Sequence, residues 1–476
     1  MGVGKVAVWE GLPMDGTRWV RVEDHRWRLI TRRKFLKAAA AGATAAGLGS
    51  LFPLTQIVRA QARRLTFLHW SHFVPGFDKW FDGEYTKEWG KAHEVEVVVD
   101  HVPSGQVAAR AAAEVSARKG HDLYQFITPA PNFEPELEDM GDLVEPLLKK
   151  HGMVELSKRS TYNPKTKKWF ALSLSFTPDP AHYRKDAFDE AGFVPDSWDN
   201  ILKAGRKLKA KGLPIGIAIS GCVDSNMALR DCLWSFGSSI QNGSSEVVIN
   251  NKNTVEAIKY IRAVYKETME PEVLAWDDSS NNRAMEAGKC SWTLNAISIS
   301  RSIEKNNPQF SPKVQLWKAP RGPQPLGGKR LGAEHVFFSY GIWKFTPPEQ
   351  KKLAKQFLVD YANNWARAFV GSEFYEFPSF PGTVPTLKEQ VLHDSVAAKL
   401  GQPNKYKELT TAIDWSTNVG YPGYANGAEG EVFDTYLIPQ MFALAATDKM
   451  SPEDAAKWAE QQFKPIFAKW KARGLI

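Results

Sequence analysis

The stretch that most constrains the fold begins at Arg63. "RRLTFLHW" alternates apolar residues as a strand does, and "EVEVVVDHV" at Glu94–Val102 is a valine-rich second strand. Between them "FDKWFDGEYTKEWGKAH" sets Trp80, Phe81, Tyr85 and Trp89 at roughly helical spacing, so the three segments read as a β-α-β unit. A helix over Gly105–Lys119 and a short strand "HDLYQFI" continue the alternation. Strands alternating with helices predict an α/β fold with a parallel sheet covered on both faces. Downstream, "WFALSLSF" reads as a strand and "DSWDNILKAGRKLKAKG" as an amphipathic helix with an Asp/Ser N-cap signal. "PIGIAIS" reads as a buried strand. "NTVEAIKYIRAVYKE", "EQKKLAKQFLVDYANN" and "SPEDAAKWAEQQFKPIFAKW" are further amphipathic helices. The acidic "NFEPELEDMGDLVEPL" is a solvated face rather than a metal site.

What precedes Arg63 reads as an address. "TRRKFLKAAAAG" places Arg32 and Arg33 before an uncharged Ala/Gly run. That run is shorter than the roughly 20 strongly apolar residues a bilayer core demands. Ala60-Gln61-Ala62 then fits the small-x-small pattern of a cleavage site. Together these resemble a twin-arginine signal over residues 1–62, cleaved after about Ala62, and predict a periplasmic protein. With the ten Lys/Arg and four acids of that segment removed, 51 basic and 49 acidic residues remain, and the net charge falls from +8 to +2. The basic surplus therefore belongs to the leader and gives no argument for a nucleic-acid partner. Cys222, Cys232 and Cys290 are the only cysteines and form no CxxC, which excludes a zinc ribbon or iron–sulfur signature. Cys222 and Cys232 suit either a disulfide or buried thiols. No cofactor signature is present. His69 and His72 form a His-x-x-His pair, but on a strand they would point to opposite faces, so no metal site is expected.

Several segments, in order, carry a family resemblance: "SARKGHDLYQFI", "WFALSLSFTPDPAHYRKDAFDEAGFVPDSWDNILKAGRKLK", "AMEAGKCSWTLNAIS", "FPSFPGTVPTLKE" and "IPQMFALAATDKMSPEDAAKWAEQQFKPI". The chain resembles the extracellular solute-binding proteins of ABC importers, in the group serving carbohydrates. That resemblance implies a type II periplasmic binding protein: two α/β lobes, a hinge and an interlobe ligand cleft. Crossings are expected near Leu172–Thr177, Val314–Ala319 and Phe369–Phe374. Lobe 1 would then hold residues 63–172 and 315–368, and lobe 2 residues 173–314 and 369–476. The implied partners are a small-molecule ligand, carbohydrate or polyol, and the inner-membrane permease subunits, with the binding protein acting as a monomer.

The same resemblance nominates ligand-binding residues. The loop after the first strand gives Trp70, Ser71 and His72, and the first crossing gives Thr177. The family's Asp motif gives Asp122 with Tyr124, although Asp122 equally suits a helix cap. The "NG-x-W" motif falls on Asn295–Ser298, where Ala296 and Ser298 replace the glycine and the tryptophan, so no stacking is expected there. Trp276, Asp277 and Arg283 nearby are nominated to supply the missing contacts, although Arg283 equally suits a solvated helix start. Tyr421, Tyr424 and Asn426 come from the loop "NVGYPGYANGAEGEVF", and Glu334 and His335 are weaker candidates. Two rivals stay open. A twin-arginine-exported enzyme such as a glycoside hydrolase would need two carboxylates across a cleft. A cleft ringed by Asp and Glu would instead suit a polyamine or another small polar solute.

Overall fold

The computed structural model describes residues 63–476 together with the backbone of two short strands, β1 (Thr17–Arg21) and β2 (Trp27–Thr31). These two pair antiparallel, Thr17 opposite Thr31. Arg32, Arg33 and the expected cleavage site at Ala62 lie outside the described residues.

From Arg63 the expected β-α-β unit forms. β3 (Arg63–Trp70) pairs in parallel with β4 (Val95–Val102) along its whole length. The connection is helical from Pro75 to His93, with a π-helical turn at Phe81–Tyr85. Phe81, Tyr85 and Trp89 are buried against the sheet, as their spacing requires. A helix at Val107–Ala117 leads to β5 (Leu123–Phe126), which joins β3 on its other side, also in parallel.

Beyond that point the sheet departs from the all-parallel expectation. A short antiparallel pair, β6 (Tyr162–Asn163) and β7 (Lys168–Trp169), precedes β8 (Leu172–Pro178). The second sheet holds β9 (Ala181–Arg184), flanked antiparallel by β10 (Trp292–Leu294) and β11 (Val314–Trp317). The chain then returns through β12 (Gly332–Gly341), which enters the large sheet between β5 and β8, antiparallel to both. β13 (Phe377–Pro378) closes the β8 edge, and β14 (Ser416–Thr417) pairs with the start of β12. A strand that re-enters a sheet from another lobe needs no crossover helix, so nothing forces it to run parallel. "PIGIAIS" is buried and extended but forms no full ladder. Its contacts to β10 are Gly216 N–H to Trp292 O and Ser291 N–H to Pro214 O.

Two large apolar cores result. One gathers residues from Leu65 to Phe176 and, after the return, from Val336 to Trp415, joined by Ala296, Ile297, Leu316 and Ala319. The other gathers residues from Ala181 to Leu294 and from Ala428 to Trp470. These divide the chain at different points from those expected. β8 is buried over its full length inside the first sheet, and Phe369, Tyr375, Phe377 and Phe380 belong to the first core. The last crossing therefore falls between Trp415 and Ala428 rather than near residue 369. The expected helices are present. Ser197 accepts from Asn200 N–H at the start of Trp198–Lys209, and Ser451 accepts from Asp454 N–H at the start of Pro452–Ala472. All three cysteines are free and buried. No helix among the described residues is long and apolar enough to cross a membrane.

Candidate functional site

β8 has two faces. Leu172, Leu174 and Phe176 fill one, while Ser173, Ser175, Thr177 and, just beyond the strand, Asp179 form a polar stripe on the other. The first serine of this buried stripe is spent on internal contacts: Ser173 lies 2.6 Å from the Ser379 hydroxyl. Toward the lobe boundary that changes. Among the described residues Thr177 Oγ1 has no hydrogen-bond partner, and neither Asp179 oxygen receives a hydrogen bond. Asp179 instead faces His335 of β12, with Oδ1 3.2 Å from Nδ1.

His335 links the two lobes. Its Nε2 lies 3.4 Å from Asp224 Oδ1, on the buried helix Val223–Ser235 of the second core. Asp224 Oδ2 accepts from Asn281 Nδ2 (2.7 Å) and Asn295 Nδ2 (3.1 Å), and Asn295 also donates to Asn282 Oδ1 (2.9 Å). Burial pushes the Asp224 carboxyl up to about 6, with the His335 charge pulling the other way. Burial acts against a charged imidazole at His335, but Asp179 and Asp224 outweigh it and hold its pKa well above the ordinary value.

An aromatic wall closes the side belonging to the first core. The Trp70 ring lies 5.5 Å from Phe338 and 6.4 Å from Tyr375. Trp70 Nε1 and the Tyr375 hydroxyl are both buried without partners. His72 lies 3.3 Å from Glu376, and burial keeps its pKa well below the ordinary value, so the ring is neutral. Hydrogen bonds span the boundary on either side of the cluster. Ser104 donates to Asp278 (2.8 Å), whose other oxygen accepts the backbone N–H groups of Val223 and Asp224. Asn132 donates to Asp434 (2.9 Å). A small cavity of about 40 Å³ lies here, lined by Ser104, Val107 and Asn132 on one side and Val223, Phe433 and Tyr436 on the other.

Of the nominated residues, Trp70, His72, Thr177, Asn295 and the weaker candidate His335 converge on this cluster. The others do not. Ser71 is exposed, its N–H bonded to Val102 O. Asp122 sits at the amino end of the sheet, where Oδ2 accepts from Thr66 N–H (2.8 Å), Thr66 Oγ1 (2.7 Å) and Gln350 Nε2 (3.1 Å), pinning β5 to β3. Tyr124 is core, its hydroxyl donating to Val107 O. Trp276 covers Gly216, where a Cβ would come within 2.3 Å of the indole. Asp277 and Arg283 pair with each other on the surface at 2.9 Å, and Asp277 also accepts from Ser279 and Ser280. Tyr421 accepts from Lys329 (3.1 Å), and the Tyr424 carbonyl accepts from Gln241 (2.9 Å). Asn426 caps the helix Gly427–Asp434. Asp179, Asp224, Tyr375 and Glu376 were not nominated; the polar alternation of β8 was the available signal for the first.

His69 and His72 are neighbours after all, because β3 ends at Trp70 and the chain turns. Both rings stack on Phe77, at 5.8 and 4.6 Å. His69, Asp78 and His101 also lie close enough together to offer three ligand atoms. However, Nδ1 of both histidines faces the Trp70 carbonyl, at 2.7 and 3.0 Å, and His101 Nε2 pairs with Asp82 at 2.8 Å. Those contacts suffice to fix the loop that carries Trp70 and His72.

A two-lobed α/β body with unsatisfied buried polar groups gathered between its lobes has clear relatives. The family model for bacterial extracellular solute-binding proteins matches residues 74–365. The chain belongs to that family. No curated protein sequence matches this solute-binding protein, but solved structures do. The maltose-bound MalE3 of T. maritima shares 20% identity with a TM-score of 0.69, over 85% of this chain and 99% of that one. An α-D-tagatose-bound ABC-transporter solute-binding protein from Thermotoga lettingae TMO shares 16% identity with a TM-score of 0.68, over 85% and 100%. A ribitol complex from Agrobacterium radiobacter K84 shares 17% with a TM-score of 0.65, over 85% and 98%. At such identities the likeness speaks for the fold.

Since the structure gives Asp122 a structural task, Asp122→Asn is expected to cost about 1–3 kcal/mol of stability by weakening its hydrogen bonds. Solute affinity should be unchanged. Parallel urea titrations and calorimetric binding would check this.

Proposed function

We propose that the protein captures a sugar or polyol between its lobes by hinge closure and hands it to an inner-membrane permease of an ABC importer. The observation that carries this reading is the interlobe cluster. Trp70, Thr177, Asp179 and Tyr375 from one side and Asn295 from the other bury polar atoms without partners. Burying such groups is costly unless something hydrogen-bonds to them. A polyhydroxylated solute is both donor and acceptor, and the faces of Trp70 and Tyr375 can cover its C–H surface. Maltose, tagatose and ribitol in the structural relatives support the same class. Ser104–Asp278 and Asn132–Asp434 would act as clasps of the closed state, the solute supplying the differential affinity that favours closure. The reading needs no catalytic step: His335 holds Asp179 and Asp224 as an ion-paired unit, which suits recognition. Delivery to the periplasm through the twin-arginine route, with cleavage after about Ala62, completes it.

Thermal denaturation of the full chain against maltose, tagatose, ribitol and related mono- and disaccharides tests the reading. A solute at 100 times its dissociation constant is expected to stabilise by about 2.7 kcal/mol, raising the melting temperature by a few degrees. A panel in which no sugar or polyol moves the curve would sink it.

A further inference from the structure

The cluster is acidic beyond what its own cations balance. Asp179, Asp224, Asp231 and Glu376 are all buried, at 4% exposure or less. Asp231, on the same helix as Asp224, accepts from Ala333 N–H with one oxygen, and its other oxygen has no partner. Glu376 Oε1 has no hydrogen bond either. Among the described residues, His335 is the cation that faces Asp179 and Asp224. His72 and His182 are held neutral by burial, and His101, raised to about 9, spends its charge on Asp78 and Asp82. Arg230 is fully buried but turns to Asn226 and the Phe433 ring, and its charge is matched by the buried Glu429. The acidic Asp278 adds to the imbalance at the rim.

A buried carboxylate without a counter-charge either takes up a proton or awaits a cation. Burial does push Asp231 and Glu376 well above the ordinary carboxylate range, so protons stand in for the missing charge when the site is free. The arrangement of acceptors goes further. Asp179 turns Oδ1 to His335 at 3.2 Å and leaves Oδ2 without a donor, beside the unpartnered Thr177 and Tyr375 hydroxyls. An ammonium group brings three N–H donors and no acceptor, the complement of that pattern. We infer that the solute captured here is an amino sugar or amino polyol, a polyhydroxylated frame bearing a protonated amine that seats against Asp179. This rests on the interlobe-capture reading above and narrows it from carbohydrates in general to cationic ones.

Calorimetric titration of the full chain with glucosamine against glucose, and glucamine against sorbitol, tests the inference, with spermidine as a third arm. Each amine is expected to bind at least about tenfold more tightly than its neutral counterpart. In Asp179→Asn that ratio should fall toward one. The wild-type comparison decides the matter even if the variant fails to fold. Glucose or sorbitol binding as tightly as the amines would overturn the inference and leave the sugar reading standing. Spermidine binding alone would overturn the sugar frame and the proposed function with it. If neither amines nor neutral sugars bind, both readings fall.

Discussion

Replacing His335 with alanine is expected to lower the free energy of unfolding by about 3–5 kcal/mol, the cost of breaking a buried ion pair from one side. The reason is geometric: its two ring nitrogens face Asp179 at 3.2 Å and Asp224 at 3.4 Å, and among the described residues no other cation pairs with either. Removing the imidazole leaves both carboxylates, with Asp231 on the same helix as Asp224, to be protonated or hydrated in a site closed to water. The effect should depend on pH with a definite sign. The folded-state pKa of His335 is raised above its unfolded value, so its contribution is complete below the ordinary imidazole range. It is lost as the pH climbs through the raised value. The gap between wild type and His335→Ala should therefore narrow on the alkaline side. Adding Asp179→Asn to His335→Ala should recover part of the loss, since one of the stranded charges is then gone. Urea unfolding of the two variants and the wild type at several pH values would show this. A uniform, pH-independent loss would mean that the ring acts through packing alone.

The second large effect is expected in the other lobe. Trp198 is 1% exposed at the start of the helix Trp198–Lys209. Its indole meets Trp292 of β10 edge-on at 5.7 Å and Tyr260 at 5.6 Å, and Nε1 donates to Ser235 Oγ at 2.7 Å. One side chain thus joins two helices to the small sheet. Trp198→Ala removes the ring, leaves a cavity and strips Ser235 of a donor, for an expected loss of about 3–5 kcal/mol. Because this lobe carries Asp224 and Asn295, solute affinity should weaken along with the unfolding midpoint. Tryptophan-to-phenylalanine replacement should recover much of the packing but not the hydrogen bond.

What the sequence made legible follows from the range of each interaction. The β-α-β unit from Arg63 to Val102 was readable because strand and helix periods are local, and the Ser197 cap was readable for the same reason. The direction of β12 was not, since an apolar run has the same pattern whichever way it enters a sheet. Motif position led to Trp70, His72, Thr177 and Asn295, which the fold brings to the lobe boundary. Asp179, Asp224 and His335 meet only because the chain leaves one core, builds another and returns, which no local pattern encodes. The loop of Tyr421 and Tyr424 has the glycine-rich aromatic pattern of a binding loop but lies apart from the cluster. Several of its polar groups hold its own shape, with Asn418 Nδ2 bridging the Val419 and Gly423 carbonyls.

The most direct test of the interlobe site is calorimetric titration of the wild type and of Asp224→Asn with whichever sugar, polyol or amino sugar shifts the melting curve most. The account predicts one solute per chain in the wild type, and a loss of at least about tenfold in affinity in the variant, about 1.4 kcal/mol or more. Binding of equal strength in both proteins would contradict it, because the solute would then lie outside the cluster built on Asp179, His335 and Asp224.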